Sequence, residues 1–265
     1  MNKRPFTRLL ATGDWHSGHQ VGLSPPEYHS PTTSEHKYIK LANVRRDVWN
    51  WFDRSLKPYR PIDILILNGD ALDGKGERSG GTEQIMSDRN GQCNIGYKAI
   101  EFIDPSIIRM TYGTPYHVSG NGEDWEDVLA EKAGAKIGSH EWFEVNGVII
   151  DCKHKIGSSQ IPHGRFTPIA REILWNREWA ADGSQPKADI LLRSHVHYFS
   201  PLEYEGCIGM TLPAMQGFGS KFGSRQCSGR VHIGFVIFDI YESGAIKWYK
   251  VIANTKTTKA QAEKL

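Results

Sequence analysis

Five short segments of this chain each place Asp or His at the end of an apolar run, and no other feature restricts the possible folds as much. They read Gly13-Asp14-Trp15-His16, Gly69-Asp70-Ala71-Leu72-Asp73, Gly113-Thr114-Pro115-Tyr116-His117, Cys152-Lys153-His154 and Ser194-His195-Val196-His197. Four follow runs with the composition of buried strands: Leu9-Leu10-Ala11, Ile62 to Leu67, Ile107 to Tyr112 and Val148 to Ile150. The fifth follows Ala188-Asp189-Ile190-Leu191-Leu192. Parallel strands covered on both faces read as continuous apolar runs, and sites in α/β folds gather at their carboxyl ends. A strand repeats its facing every second residue, so Asp14 and His16 are expected to aim at one point, as are His195 and His197. The pattern predicts a metal site at a sheet edge.

Between these segments the sequence predicts a polar loop over 17–34 and a long helix over 35–56. Leu41, Val44, Val48, Phe52 and Leu56 give that helix its apolar face. Residues 74–94 are Gly-rich and charged without periodicity, and a loop of that length is more often functional than idle. A helix near 95–103 and a short one near 123–132 that stops at Gly134 come next. Thr167-Pro168 reads as an N-cap and first helical residue, opening a helix to about Trp179. Val231–Ile240 and Ala245–Ile252 flank a hairpin turn at 241–244, and the tail from 253 is expected to fray. With 265 residues, no repeat and no linker, one domain over 1–265 is expected.

Composition excludes several classes. A formal net charge of +2 makes no case for bulk attraction to nucleic acid, although Lys75, Arg78 and Arg89 flank the second segment. No apolar run approaches the roughly 20 residues of a membrane span. The first eight residues are too short and polar for a signal peptide, so a cytoplasmic location is expected. Cys93, Cys152, Cys207 and Cys227 are widely spaced without CxxC pairing, which argues against a zinc knuckle or a disulfide framework. Of the eleven histidines, five (His16, His117, His154, His195 and His197) fall inside the five segments. Asp73 reads as a hydrogen-bonding support for its loop. Arg193 and Lys75 read as solvated charges or phosphate contacts, and the tryptophans at 49, 51, 175 and 179 as helix-face packing, with an aromatic platform for bases as the less favoured reading.

Mixed Asp and His donors suit Mn²⁺, Fe or Zn²⁺ better than Mg²⁺ alone. Two such ions about 3.5–4 Å apart clamp both sides of an in-line phosphoryl displacement, and a bridging carboxylate, here Asp70, is the usual way to hold them together. In their order the five segments resemble the calcineurin-like metallophosphoesterases, whose signature runs D-x-H, GDxxD, GN-H-[DE], a lone His and GHxH. The motif wording is similar to the branch common in phages and prophages. The resemblance implies an α/β fold, a four-layer αββα sandwich of two mixed β-sheets flanked by helices.

The resemblance also implies two divalent metal ions, Mn²⁺ first and Fe, Zn²⁺ or Ni²⁺ as alternatives. One would be held by Asp14, His16, Asp70 and His197, the other by Asp70, His154, His195 and the third-motif residue. This chain has Thr114 where the family has Asn, and His117 three residues on in place of the His that follows directly. Gly120-Asn121-Gly122-Glu123-Asp124 is the other reading of that motif, less favoured because it lies further from the strand. Ser194 replaces the Gly of the last motif. The implied activity is phosphodiester hydrolysis by a metal-bridging hydroxide, with His117 assisting the leaving oxygen. The substrate is expected to be DNA, RNA or a nucleotide. A phosphomonoesterase, or a binding module without catalysis, is the alternative.

Overall fold

In the computed structural model of the chain, residues 4–30, 34, 36–76, 80–115, 123–159, 161–218 and 231–254 are described. The regular elements run β1 (Phe6–Thr12), α1 (His36–Leu56), β2 (Ile64–Asn68), α2 (Arg89–Ile103), β3 (Ile107–Thr111), α3 (Trp125–Ala133), β4 (Lys136–Gly138), β5 (Glu141–Val145) and β6 (Val148–Cys152). They continue with α4 (Thr167–Ala181), β7 (Ile190–Arg193), β8 (Ser200–Tyr204), β9 (Cys207–Thr211), β10 (Gly234–Tyr241) and β11 (Ile246–Ile252). One sheet has the order β11-β10-β1-β2-β3-β4 and the other β5-β6-β7-β9-β8. Both are mixed: β1, β2, β3 and β4 run parallel and β10 antiparallel, while β6, β7 and β9 run parallel and β5 and β8 antiparallel.

The period of two in the strands builds the layers. Leu9, Ala11, Ile64, Ile66, Val236 and Phe238 face Ile150, Cys152, Ile190, Leu192 and Met210 across the space between the sheets. Their neighbours Leu10, Leu65, Leu67, Phe235 and Ile237 point the other way, onto Val48, Phe52, Ile100 and Leu129 of the three helices on the outer face. On the far side Leu191 and Cys207 meet Ile169 and Ile173 of α4. The architecture is helix, sheet, sheet, helix, as the motif resemblance implied. Each fully buried Leu, Ile or Phe contributes about 1.5–3 kcal/mol. Gly209 lets α4 approach its sheet, since a Cβ there would lie 2.8 Å from Ile173 Cδ1.

Several expectations are corrected. Helix α2 begins at Arg89, not near 95, because Asp88 caps it by accepting from Gly91 N at 2.8 Å. Thr167 is itself helical (φ −57°, ψ −43°), and the cap position is Phe166, which makes no side-chain cap bond. Strand β6 covers the apolar run at 148–150, and β5, which no apolar run marked, pairs with it as a hairpin. Its turn, Asn146-Gly147, has φ of 50° and 79°, the left-handed pair that a two-residue hairpin needs.

Arg193 is neither solvated nor free for phosphate. It is 1% exposed and paired to Asp151 at 2.7 Å and Glu172 at 2.9 Å. Trp49 is buried, whereas Trp175 and Trp179 are 52% and 51% exposed. Cys93, Cys152 and Cys207 are free and buried. Among the described residues no helix is long and apolar enough to cross a membrane. His117, Asn121, Arg78, Cys227 and the tail from 255 lie outside the described residues.

Candidate metal centre

The parallel strands end together, and the backbone turns sharply where each ends. Eight non-glycine residues among those described have φ in the left-handed region. Five of them are Asp14 (50°), His16 (45°), Asp70 (48°), His195 (71°) and His197 (54°). Such conformations cost about 1–3 kcal/mol each and persist only where the surroundings enforce them. Here the strands do so. Asp14 N donates to Gly69 O at 2.9 Å, His16 N to Asp70 O at 3.0 Å and His195 N to Asp14 Oδ2 at 3.0 Å.

The side chains gather in two clusters, Asp14–His16–His197 and Asp70–His154–His195, each with its ligand atoms within 4.8 Å of one another. Both draw on both sheets. His197 Nε2 lies 3.3 Å from Asp14 Oδ1 and 3.4 Å from His16 Nε2, and His154 Nε2 lies 3.1 Å from Asp70 Oδ2. An ion about 2.0–2.2 Å from each donor leaves neighbouring donors about 2.8–3.6 Å apart. The two clusters touch, with His154 Nε2 at 4.0 Å from Asp14 Oδ1. Both atoms are buried and lack a hydrogen bond from any described residue. A cation between these lone pairs would satisfy them, so the residues fit a pair of divalent ions.

Electrostatics agree. Burial alone would lift the Asp14 carboxyl, but the facing imidazoles of His197 and His154 outweigh it and hold it below its ordinary value. Burial would lower His154, yet Asp70 and Asp14 outweigh it and push the imidazole up to about 10. His16 is also raised: its bond to Asp73 and the nearby carboxylates overcome burial. His195 is lowered by its partial burial and by the neighbouring His154. The cluster favours positive charge at its centre.

A surrounding set of groups aims these donors. His154 Nδ1 donates to the Asn68 carbonyl at 2.9 Å, which turns Nε2 toward Asp70. Asn68 Nδ2 donates to Ser194 Oγ at 2.8 Å and thereby ties the ends of β2 and β7. Asp73 stands 3.5 Å from His16 Nδ1 and accepts from Gln84 Nε2 at 2.9 Å, the supporting place its spacing suggested.

Thr114 lies against Asp70. Its amide donates to Oδ1 at 2.7 Å, and its hydroxyl is 3.1 and 3.3 Å from the two carboxylate oxygens. Glu126, which the sequence did not single out, is buried beneath both loops and accepts from Ala71 N and Gly113 N at 2.6 Å each. Burial and the neighbouring Asp70 push its carboxyl up to about 8 against the pull of those two amides. Its only signal was position, two residues after the helix cap Asp124.

Gly113 is required by contact. A Cβ there would stand 2.0 Å from Asp70 Oδ1 and 2.4 Å from Asp70 N. Gly113→Ala is therefore expected to displace Asp70 and weaken Mn²⁺ binding by about 10–100-fold, the usual cost of disturbing groups that support a metal ligand. Chelator-competition titration measures this, and an unchanged affinity would show that Asp70 is not a ligand.

No protein-family model matches the sequence, and no curated protein does. Solved structures with similarity include Vps29 from Entamoeba histolytica complexed with Zn²⁺, at 13% identity over 93% of this chain and 99% of that one, TM-score 0.42. A novel archaeal phosphodiesterase is 12% identical over 92% and 100%, TM-score 0.43. Vps29 from Cryptosporidium parvum is 10% identical over 94% and 99%, TM-score 0.46. Similarity at this level carries no argument about what this chain does.

Proposed function

We propose that the chain is a dimetal phosphoesterase acting on phosphodiesters. The observation that carries this reading is the pair of touching Asp/His clusters at the carboxyl ends of the parallel strands. Asp14, His16 and His197 would hold one ion, and Asp70, His154 and His195 the other. Asp70 is proposed as the shared ligand, with Thr114 beside it. When bound, such ions draw phosphoryl oxygens and make water nucleophilic near neutral pH. Asn68, Asp73 and Glu126 keep the donors aimed. The phage-type branch is proposed on the motif wording alone, and Mn²⁺ on the donor chemistry.

The direct test is hydrolysis of bis-p-nitrophenyl phosphate against p-nitrophenyl phosphate by Mn²⁺-loaded protein. Faster turnover of the diester is expected. Preference for the monoester would replace the reading with a phosphatase, and no metal-dependent turnover of either would end it.

His117 is proposed to protonate the leaving oxygen, an inference that rests on its place in the third motif. His117→Ala is expected to lower kcat by about 10²–10⁴-fold on a diester with a poor leaving group. The loss should be smaller on a p-nitrophenyl ester, with metal content unchanged. Equal losses on both esters, or loss of a metal, would assign His117 another role.

A further inference from the structure

The sheet that carries His154 has a second concavity on its outer face, next to the metal centre. Trp175, Trp179, His140, Lys153, Glu172 and Arg193 line a cavity of about 350 Å³. Lys153 also lines a neighbouring cavity of about the same volume, whose other walls include Lys155, Gly113 and His154. Lys153 lines both cavities, so they adjoin at its side chain, one beside a candidate ligand and the other under the exposed face of α4. Two half-exposed tryptophans one helical turn apart are costly to leave in water, and α4 buries Ile169 and Ile173 on its other side.

The charges along the two cavities limit what fits. Arg193 is enclosed by Asp151 and Glu172, so the floor of the outer cavity offers no free cation. Lys155 is exposed beside the metal centre, and Lys153 is one-third exposed while paired to Glu172 at 2.9 Å. The inner cavity carries Lys153 and Lys155 against the single acid Asp124, and the outer cavity ends on flat aromatic surface. Single-stranded nucleic acid has the matching order, a phosphate chain beside bases with exposed π-faces. A duplex hides those faces.

We propose that the two cavities form a binding track for single-stranded nucleic acid, with bases stacked on Trp175 and Trp179 and the backbone led past Lys153 and Lys155 to the metal centre. The proposal deepens the phosphodiesterase reading and rests on it for where the strand is cut, though not for binding itself.

The test measures binding of fluorescein-labelled dT12 by anisotropy in EDTA, where no turnover occurs. Trp175→Ala and Trp179→Ala are each expected to weaken binding by about 5–150-fold, the usual worth of one stacked base. Trp179→Phe should recover part of the loss. Lys155→Ala should lower the slope of log Kd against log salt by about 0.7.

Hydrolysis of bis-p-nitrophenyl phosphate, which has no strand to lie along α4, should be unchanged in the tryptophan variants and reports that they fold. Wild-type tryptophan fluorescence should be quenched by dT12, a readout that needs no variant. No binding by the wild type, equal binding by the alanine variants, or tighter binding of a blunt duplex than of dT12 overturns the proposal. So does a wild-type dimer that the alanine variants dissociate, which would make this face a contact between copies of the chain. Binding of dT12 without diester turnover would instead overturn the phosphodiesterase reading and leave the track standing.

Discussion

Asp70→Asn should remove metal-dependent turnover of bis-p-nitrophenyl phosphate by about 10³-fold or more, beyond the roughly 10²–10³-fold carried by one electrostatic contact. Asp70 is the only carboxylate of the second cluster among the described residues, it faces His154 Nε2 at 3.1 Å, and it accepts from the Thr114 amide at 2.7 Å. If it serves both ions, the amide should lower the Mn²⁺ content of both, whereas His16→Ala should empty mainly one. Elemental analysis of dialysed, Mn²⁺-loaded protein separates these outcomes. Two retained ions in Asp70→Asn would rule out the shared-ligand role, and a single ion in the saturated wild type would rule out a dimetal centre.

Arg193→Met is expected to lower the stability of the fold by about 3–5 kcal/mol at neutral pH, the usual cost of removing one partner from a buried ion pair. It would leave Asp151 and Glu172 without their common cation beneath α4. Burial pushes both carboxyls up, but His140 and Arg193 outweigh it at Asp151, as Arg193 and Lys153 do at Glu172, and both end below their ordinary values. A depressed carboxyl contributes stability above its unfolded value, and that contribution is lost as pH falls through the folded one. The penalty of the substitution should therefore be full at pH 7 and shrink in acid as both carboxyls take up protons. Urea unfolding at pH 7 and pH 4 measures it. An equal midpoint for mutant and wild type at pH 7 would show that the pairs contribute nothing net.

What could be read in the sequence followed from local rules. Asp14, Asp70, His154, His195 and His197 were visible because each comes just after a strand whose apolar run marks its end. The helix end at Gly134 was visible because glycine takes a left-handed backbone without strain. Glu126 was not, because its role arises from two amides, Ala71 N and Gly113 N, that only the folded chain brings over it. Arg193 carries no sign in its neighbours that two acids from other elements enclose it. Trp175 and Trp179 occupy positions in a helical pattern that packing fills in most proteins. That α4 turns this face to solvent depends on how it lies on its sheet, which no local pattern states.

Each cluster takes donors from both sheets: Asp14 and His16 oppose His197, and Asp70 opposes His154 and His195. A bound ion would thus be a strap across the seam between two slabs that meet through oily side chains and, at this edge, a few hydrogen bonds such as Asn68 to Ser194. Any sliding of one slab against the other would stretch both straps together. Metal affinity and the rigidity of the sandwich then become one mechanical property. A methyl group lost deep between the sheets, far from any donor, would be felt at the ions as slack.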